Sequence, residues 1–154
     1  MGTPAEQILL HRPPMLLVDE LIECAGDHAV ARVCFANRPY CIAEGFVCEP
    51  ALAEAMAQTV AAHFGCAGTP APGMLAAIDG FECLQAVRPE WTLEIAITIT
   101  RRLPPFCAAT GAIRHQGETI AAGSMKFFIG ELPAETQPAP KNPLPKAPPQ
   151  SGVS

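Results

Sequence analysis

Hydrophobic and polar positions alternate most regularly in residues 92–103, where the apolar side chains at 93, 95, 97 and 99 are separated by polar or small ones. A repeat of two predicts a β-strand with one buried face. Turn signals at residues 25–27 and 116–117 predict two hairpins. With the flanking patterns, they predict further strands over residues 15–24, 28–35, 74–83, 106–115 and 118–129.

Residues 49–65 depart from this alternation, because the segment is rich in alanine and apolar nearly all round. A helix of that character is normally buried. Pro50 is tolerated in a first helical turn, and Gly65 and Gly68 mark the end. The order of strand, strand, helix and four strands predicts an α+β fold, with one long central helix wrapped by a curved antiparallel sheet. The alanines allow the sheet to approach the helix closely.

The length of 154 residues predicts one domain, placed at residues 1–131. Residues 132–154 hold seven of the 17 prolines, which predicts a disordered tail. The net charge of −5 argues against a nucleic-acid partner. The N-terminus lacks the basic region of a signal peptide, and no apolar run is long enough to span a bilayer. We therefore expect a cytoplasmic protein with no membrane partner.

The seven cysteines are odd in number and form no C-x-x-C pair, and most of them lie in apolar runs. That pattern favours buried free thiols in a reducing compartment over disulfides or a zinc site.

The central helix carries a carboxylate, Glu54, with Gln58 four residues later on the same helix face. A carboxylate on a buried helix is costly unless it is paired, protonated or used in chemistry. Glu54 is therefore the first candidate for a functional residue.

Three segments carry a resemblance to a known family. Residues 9–20 read L-L-H-R-P-P-M-L-L-V-D-E, residues 54–58 read E-A-M-A-Q, and residues 86–95 read A-V-R-P-E-W-T-L-E-I. They resemble, in this order, the L-P-H-R-x-P-x-L-L-V-D opening, the helix signature and the V-x-P-G-D-x-L sheet motif of the β-hydroxyacyl-ACP dehydratases of fatty-acid synthesis. The resemblance covers residues 8–129 and implies the hotdog fold. The first two segments also resemble shorter dehydratase-like hotdog proteins of aryl-polyene and related pigment-lipid pathways, which lose another motif.

One motif of the fatty-acid dehydratases is missing. They place a catalytic histidine in a G-H-F-P loop fourteen residues before the helix glutamate, and Tyr40 stands there in this chain. Their M-P-G at the helix start, whose glycine amide polarises the thioester carbonyl, is replaced by residues 47–49, V-C-E. The resemblance therefore implies a catalytic role for Glu54 but supplies no histidine from this loop.

Dehydration of a 3-hydroxyacyl thioester needs a base for the C2 proton and an acid for the departing hydroxyl. Burial favours the neutral form of a carboxyl group, so we assign the acid to Glu54 and the base to His11, in the retained motif. The alternative for His11 is a structural role in its loop. Three residues are candidates for orienting the site or binding substrate: Gln58, Asp19 as an acceptor for backbone amides, and Glu49 as a carboxylate at the helix N-terminus.

The sequence thus predicts a 3-hydroxyacyl-ACP or 3-hydroxyacyl-CoA dehydratase-like protein of fatty-acid, polyene or related lipid biosynthesis, with no metal and no cofactor. The resemblance implies pairing of hotdog domains, as a homodimer or as a heterodimer with another hotdog subunit. A catalytically weak acyl-binding subunit that completes a heteromeric dehydratase is one alternative, and the missing loop histidine favours it. A hotdog thioesterase is the other, and the E-A-M-A-Q context argues against it.

Overall fold

The computed structural model of the protein describes residues 1–68 and 72–130. Two short 3₁₀ turns lie at Ala5–Gln7 and Pro39–Cys41. In chain order, the remaining elements are β1 (Thr3–Pro4), β2 (Glu20–Ala25), β3 (His28–Cys34), β4 (Ile42–Ala43), β5 (Phe46–Val47), α1 (Glu49–Cys66), β6 (Gly73–Cys83), β7 (Thr92–Leu103), β8 (Phe106–His115) and β9 (Glu118–Ile129).

The strands form a seven-stranded antiparallel sheet in the order β1-β2-β3-β7-β8-β9-β6, with β4 and β5 as a separate hairpin. The alternation read from the sequence sets the faces, because the apolar residues of β7 at 93, 95, 97 and 99 are all buried. Gln116 and Gly117 join β8 to β9 with positive φ angles of 50° and 84°, as a tight hairpin turn requires. Both predicted hairpins are present.

The helix α1 packs on the inner face of the sheet against β3, β7 and β8, and it is buried on nearly every side. Gly111 on β8 permits one close approach, since a Cβ atom there would lie 2.7 Å from the sulfur of Met56. The predicted α+β arrangement, one central helix wrapped by an antiparallel sheet, is confirmed.

The prediction of a strand over residues 15–24 is wrong in its first half, because β2 begins only at Glu20. Leu16, Leu17 and Val18 are buried, as their apolar character predicted. Their segment lies against the helix, and the amides of Leu17 and Val18 donate to the side chain of Gln58 rather than to a neighbouring strand. A side-chain acceptor replaces the β-ladder here.

The expectation of free thiols is wrong for one pair, because Cys24 of β2 and Cys66 at the end of α1 form a disulfide. These residues lie 42 positions apart, and only the packing of the helix end against β2 brings them together. The free cysteines of the described chain are Cys34, Cys41, Cys48, Cys83 and Cys107.

Among residues 1–68 and 72–130, no helix is both long enough and apolar enough to cross a membrane. The proline-rich tail predicted for residues 132–154 lies outside the described residues. The division into residues 1–131 and 132–154 therefore stays a prediction.

Candidate functional site

Gln58 joins the helix to the irregular segment that precedes β2. Its side chain is only 1% exposed. Its Oε1 accepts hydrogen bonds from the amides of Leu17 at 2.8 Å and Val18 at 3.3 Å, and its Nε2 donates to the carbonyl of Met15 at 2.7 Å. Because a primary amide offers two donors and two acceptor positions, one donor remains for another partner.

That remaining donor holds Glu54. Gln58 Nε2 lies 2.8 Å from Glu54 Oε1, one helical turn away, as the four-residue spacing predicted. The same oxygen lies 3.8 Å from His11 Nε2. The structure therefore brings together Glu54, His11 and Gln58, although His11 precedes Glu54 by 43 residues.

Glu54 and His11 are both open to a cavity, with side-chain exposures of 34% for Glu54 and 37% for His11. The helix is buried as predicted, but Glu54 points to its open side rather than into the core. His11 Nδ1 is buried and has no hydrogen-bond partner among the described residues. Its tautomer is therefore not fixed by a bond within that part of the chain.

The cavity has a volume of about 360 Å³ and is lined mainly by apolar side chains. It extends along the helix face that carries Ala57 and Ala61, between the segment before His11 and the ends of β6 and β9. Its apolar lining residues include Ile8, Leu9, Leu75, Phe127 and Ile129. A pair of proton-transfer groups beside an apolar cavity can act on a polar group at the end of a hydrocarbon chain.

Asp19 and Glu49 do not line this cavity. Asp19 accepts from the amide of Cys34 at 2.7 Å, in line with its predicted role as an acceptor for backbone amides, and from Arg38 Nη2 at 2.7 Å. Glu49 lies in the first turn of α1 and lines a second cavity with Leu52 and Cys83. Within the described residues, neither Asp19 nor Glu49 forms a hydrogen bond or an ion pair with Glu54 or His11.

His63 near the end of the helix is a core histidine. It is buried, and its Nε2 lies 2.8 Å from the carbonyl oxygen of Gly26. Arg102 donates to Asp27 and lies over the ring of Phe64. Neither His63 nor Arg102 lines the cavity of Glu54.

The free thiols of Cys83 and Cys41 are poor nucleophiles, because their pKa values are raised. Desolvation raises the pKa of Cys83, and the carboxylate of Glu49 raises it further. Desolvation raises the pKa of Cys41, and the nearby Cys48 raises it to a lesser extent. The charge of Arg38 lowers this pKa but does not cancel the rise. A raised pKa keeps a thiol protonated at neutral pH. No group of three or more His, Cys, Asp or Glu side chains in the described parts of the chain could hold a metal ion.

The sequence did not single out the cavity walls. Residues 8–10 precede His11 as a short apolar run, and that run is a signal that could have been used. The walls from β6 and β9 carried no such signal, because partly buried apolar residues are ordinary at strand ends.

Three solved structures of low sequence identity share the fold. The dehydratase heterocomplex ApeI:P from Xenorhabdus doucetiae matches with a TM-score of 0.78 and 20% identity, covering 85% of this chain and 93% of that chain. The HP0420 homologue from Helicobacter felis matches with a TM-score of 0.65 and 11% identity, covering 80% of this chain and 85% of that chain. A hypothetical thioesterase with coenzyme A from Streptococcus pneumoniae TIGR4 matches with a TM-score of 0.60 and 15% identity, covering 71% of this chain and 84% of that chain. At these identities the likeness shows the fold alone, and it confirms the hotdog prediction.

A comparison with curated protein sequences finds no match. A family model described as ApeP-like, ApeP dehydratase, matches residues 3–137. That range covers most of the chain and includes both the retained N-terminal motif and the helix signature. The chain therefore belongs to the ApeP-like family of dehydratase proteins.

Proposed function

We propose that this protein dehydrates 3-hydroxyacyl thioesters in an assembly with a second hotdog subunit, with Glu54 as general acid and His11 as general base. The substrate is carried on an acyl carrier protein or on coenzyme A, in fatty-acid, polyene or related lipid biosynthesis. The observation that carries the proposal is the approach of His11 Nε2 to Glu54 Oε1 at 3.8 Å at an apolar cavity. Membership of the dehydratase family supports the reaction class.

Glu54 and His11 together account for every proton that moves in the reaction. His11 Nε2 takes the C2 proton, and the carboxyl of Glu54 gives a proton to the C3 hydroxyl, which leaves as water with the C–O electron pair. The products are a 2-enoyl thioester and water, with His11 protonated and Glu54 ionised. Transfer of the proton from His11 to Glu54, directly or through one water, restores the starting state.

Gln58 fits an orienting role in this reaction. Because it donates to Glu54 Oε1, the acid proton belongs on Oε2, which receives no hydrogen bond from any described residue. Gln58 also holds the backbone of residues 15–18 against the helix, so one amide orients the acid and anchors the segment that carries the base.

A partner subunit is supported by the free edge of the sheet. Among the described residues, strand β6 pairs with β9 on one side only, and long unpaired edges are normally covered or blunted. Ile78 lies directly opposite the buried Met125, so both side chains share the inner face of the sheet, yet Ile78 is 45% exposed. A second hotdog subunit paired along β6 would cover Ile78 and reach the mouth of the cavity, where Gly73 and Leu75 lie.

We favour a heterodimer over a homodimer because the related ApeI:P structure is a heterocomplex. His11 Nδ1 has no hydrogen-bond partner among the described residues, and a proton-transfer histidine normally has its second nitrogen held by a partner, which supports a second subunit of either kind. The same observations favour the second candidate function, in which this chain is a catalytically weak subunit that completes the site of its partner. The thioesterase neighbour provides a third candidate of the same fold, with water as the co-substrate.

The test is a dehydration assay on 3-hydroxyacyl-ACP, with the chain alone and with the hotdog subunit that copurifies with it. We expect Glu54→Gln and His11→Ala each to lower the rate by about 10²–10⁴-fold, the usual contribution of a positioned acid or base. Glu118→Gln and His28→Ala change the same residue types outside the cavity and should keep the wild-type rate.

Each alternative has its own outcome. A rate that survives both Glu54→Gln and His11→Ala, but requires this chain to be present, identifies the weak-subunit function. Release of free acid without 2-enoyl product identifies a thioesterase.

A further inference from the structure

The segment that carries His11 has few anchors. Its far end is tied to the helix by Gln58 at residues 15, 17 and 18. Between His11 and that anchor, the bonds of Arg12 to described residues go to the nearby carbonyls of Leu9 and His11, and the amides of Met15 and Leu16 donate to the carbonyl of Arg12. These bonds shape the turn but do not attach it to the rest of the protein.

Within residues 1–68 and 72–130, one hydrogen bond from outside attaches this turn. The hydroxyl of Tyr40 donates to the carbonyl of Pro14 at 2.7 Å, three residues after His11. Tyr40 itself is 56% exposed, and it does not line the cavity of Glu54 and His11. Because Tyr40 lies outside the cavity, it is not placed to transfer a proton in this arrangement, but it is placed to hold the turn.

The backbone on both sides of Tyr40 is fixed. Arg38 reaches Asp19 Oδ1 at 2.7 Å, bonds the carbonyl of Cys34, and lies over the ring of Phe35. On the other side, the carbonyl of Cys41 accepts from the amide of Cys48 at 2.8 Å, where the helix begins. Tyr40 thus stands on a short 3₁₀ turn that is tied to β3 and to the start of α1.

We propose that Tyr40 is a positioning residue for His11. Its hydroxyl holds the His11–Pro14 turn at the distance from Glu54 that proton transfer requires, and Asp19 and Arg38 hold the loop from which it acts. The proposal rests on the proposed function for its effect on rate, but the contact itself can be tested without any activity.

The first test measures hydrogen exchange of the full chain by mass spectrometry, comparing wild type with Tyr40→Phe. We expect faster exchange in a peptide covering residues 11–16 and unchanged exchange at the amides of Leu17 and Val18, which Gln58 holds. Thr100→Val is the matched control, since it also removes an exposed hydroxyl that donates to a backbone carbonyl, that of Ala108. Equal exchange at residues 11–16 in wild type and Tyr40→Phe overturns the proposal.

The second test is a double-mutant cycle in the assembly that turns over 3-hydroxyacyl-ACP. Tyr40→Phe should lower kcat roughly 3- to 10-fold, the range expected from losing one neutral hydrogen bond, with KM changed less than about twofold. In the His11→Ala background the same substitution should have no further effect, because the group it positions is gone. An equal loss in both backgrounds overturns the proposal.

The two tests separate this inference from the proposed function. If His11→Ala keeps the full rate, the assignment of the base fails. The exchange measurement still decides whether Tyr40 fixes the His11 turn.

Discussion

Gln58 is the side chain on which the geometry of the site depends most. All four positions of its amide are used, two by the amides of Leu17 and Val18, one by the carbonyl of Met15 and one by Glu54. A buried polar side chain with every position satisfied adds rigidity, but removal of one partner leaves the other groups unpaired in the interior.

Replacing Gln58 with leucine tests this dependence. Gln58→Leu keeps a similar volume but leaves the amides of Leu17 and Val18 without their acceptor. We expect the free energy of unfolding to fall by roughly 3 kcal/mol, since each buried unsatisfied group costs about 1–3 kcal/mol. Urea unfolding followed by circular dichroism measures the change.

The neighbouring Thr59 provides the control. Its hydroxyl donates to the carbonyl of Ala55 within the helix, and that carbonyl keeps a backbone partner when the hydroxyl is removed. Thr59→Val should therefore cost less than about 1 kcal/mol. Equal stability losses for the two substitutions would show that the bonds of Gln58 to residues 15–18 are not what holds this segment.

At the residue scale, the sequence predicted the contact between Glu54 and Gln58 but not the surroundings of that pair. The four-residue spacing within a helix fixes their mutual geometry, so the contact was predictable. The exposure of Glu54 was not, because it depends on the gap between the N-terminal segment and the ends of β6 and β9. The contact of Tyr40 with Pro14 could not be predicted either, because it joins two irregular segments.

At the scale of elements, the N-terminal segment and the end of α1 approach each other unusually closely. A Cβ atom on Gly65 would lie 2.5 Å from the carbonyl oxygen of Ile8 and 2.8 Å from its Cγ2. Ile8 lines the cavity with Leu9 and His11. The glycine read from the sequence as a helix terminator thus also makes room for the segment that carries the candidate base.

Gly65→Ala should therefore destabilise the protein, although alanine is the better helix former by about 1 kcal/mol. The contact is with backbone, which cannot rotate away, so the cost of overpacking of about 1–3 kcal/mol should dominate. We also expect a lower dehydration rate, because displacing Ile8 displaces His11. Thermal unfolding and the dehydration assay report the two effects separately.

Gly68→Ala is the matched control, because a Cβ atom there meets nothing within 4 Å. It should leave both stability and rate close to wild type. A stabilising effect of Gly65→Ala would mean that the segment of Ile8 does not pack against the helix as closely as described.

The strands show what the sequence can and cannot predict about elements. Over β7, β8 and β9, alternation and the residue 116–117 turn predicted the observed bounds, because pairing and burial follow the same repeat of two. The strand prediction was wrong for residues 15–19, because an apolar run predicts burial but does not predict which group accepts the backbone hydrogen bonds. There the partner is Gln58, 41 residues away from Leu17.

At the scale of the whole molecule, β6 is a sheet edge that no other strand in the described part of the chain covers. Ile78 belongs to its inner face, because it lies opposite the buried Met125, and yet it is 45% exposed. Natural sheets normally protect long edges with charges, proline or a partner. Strand β6 carries Asp79 and Glu82 but no lysine and no proline, and the exposed Ile78 on its inner face favours a partner.

A charge on this edge should block assembly. We expect wild type to be larger than a monomer at micromolar concentration by light scattering, and Ile78→Lys to shift it toward the monomer, since a lysine on the inner face would be buried without a counter-charge. Thr98→Lys adds the same charge to an exposed position of the interior strand β7 and should leave the assembly intact. Because β6 also lines the cavity, Ile78→Lys should lower the dehydration rate as it disrupts the assembly. A wild-type protein that is monomeric both alone and beside its copurifying hotdog subunit, yet dehydrates substrate, would contradict a shared site.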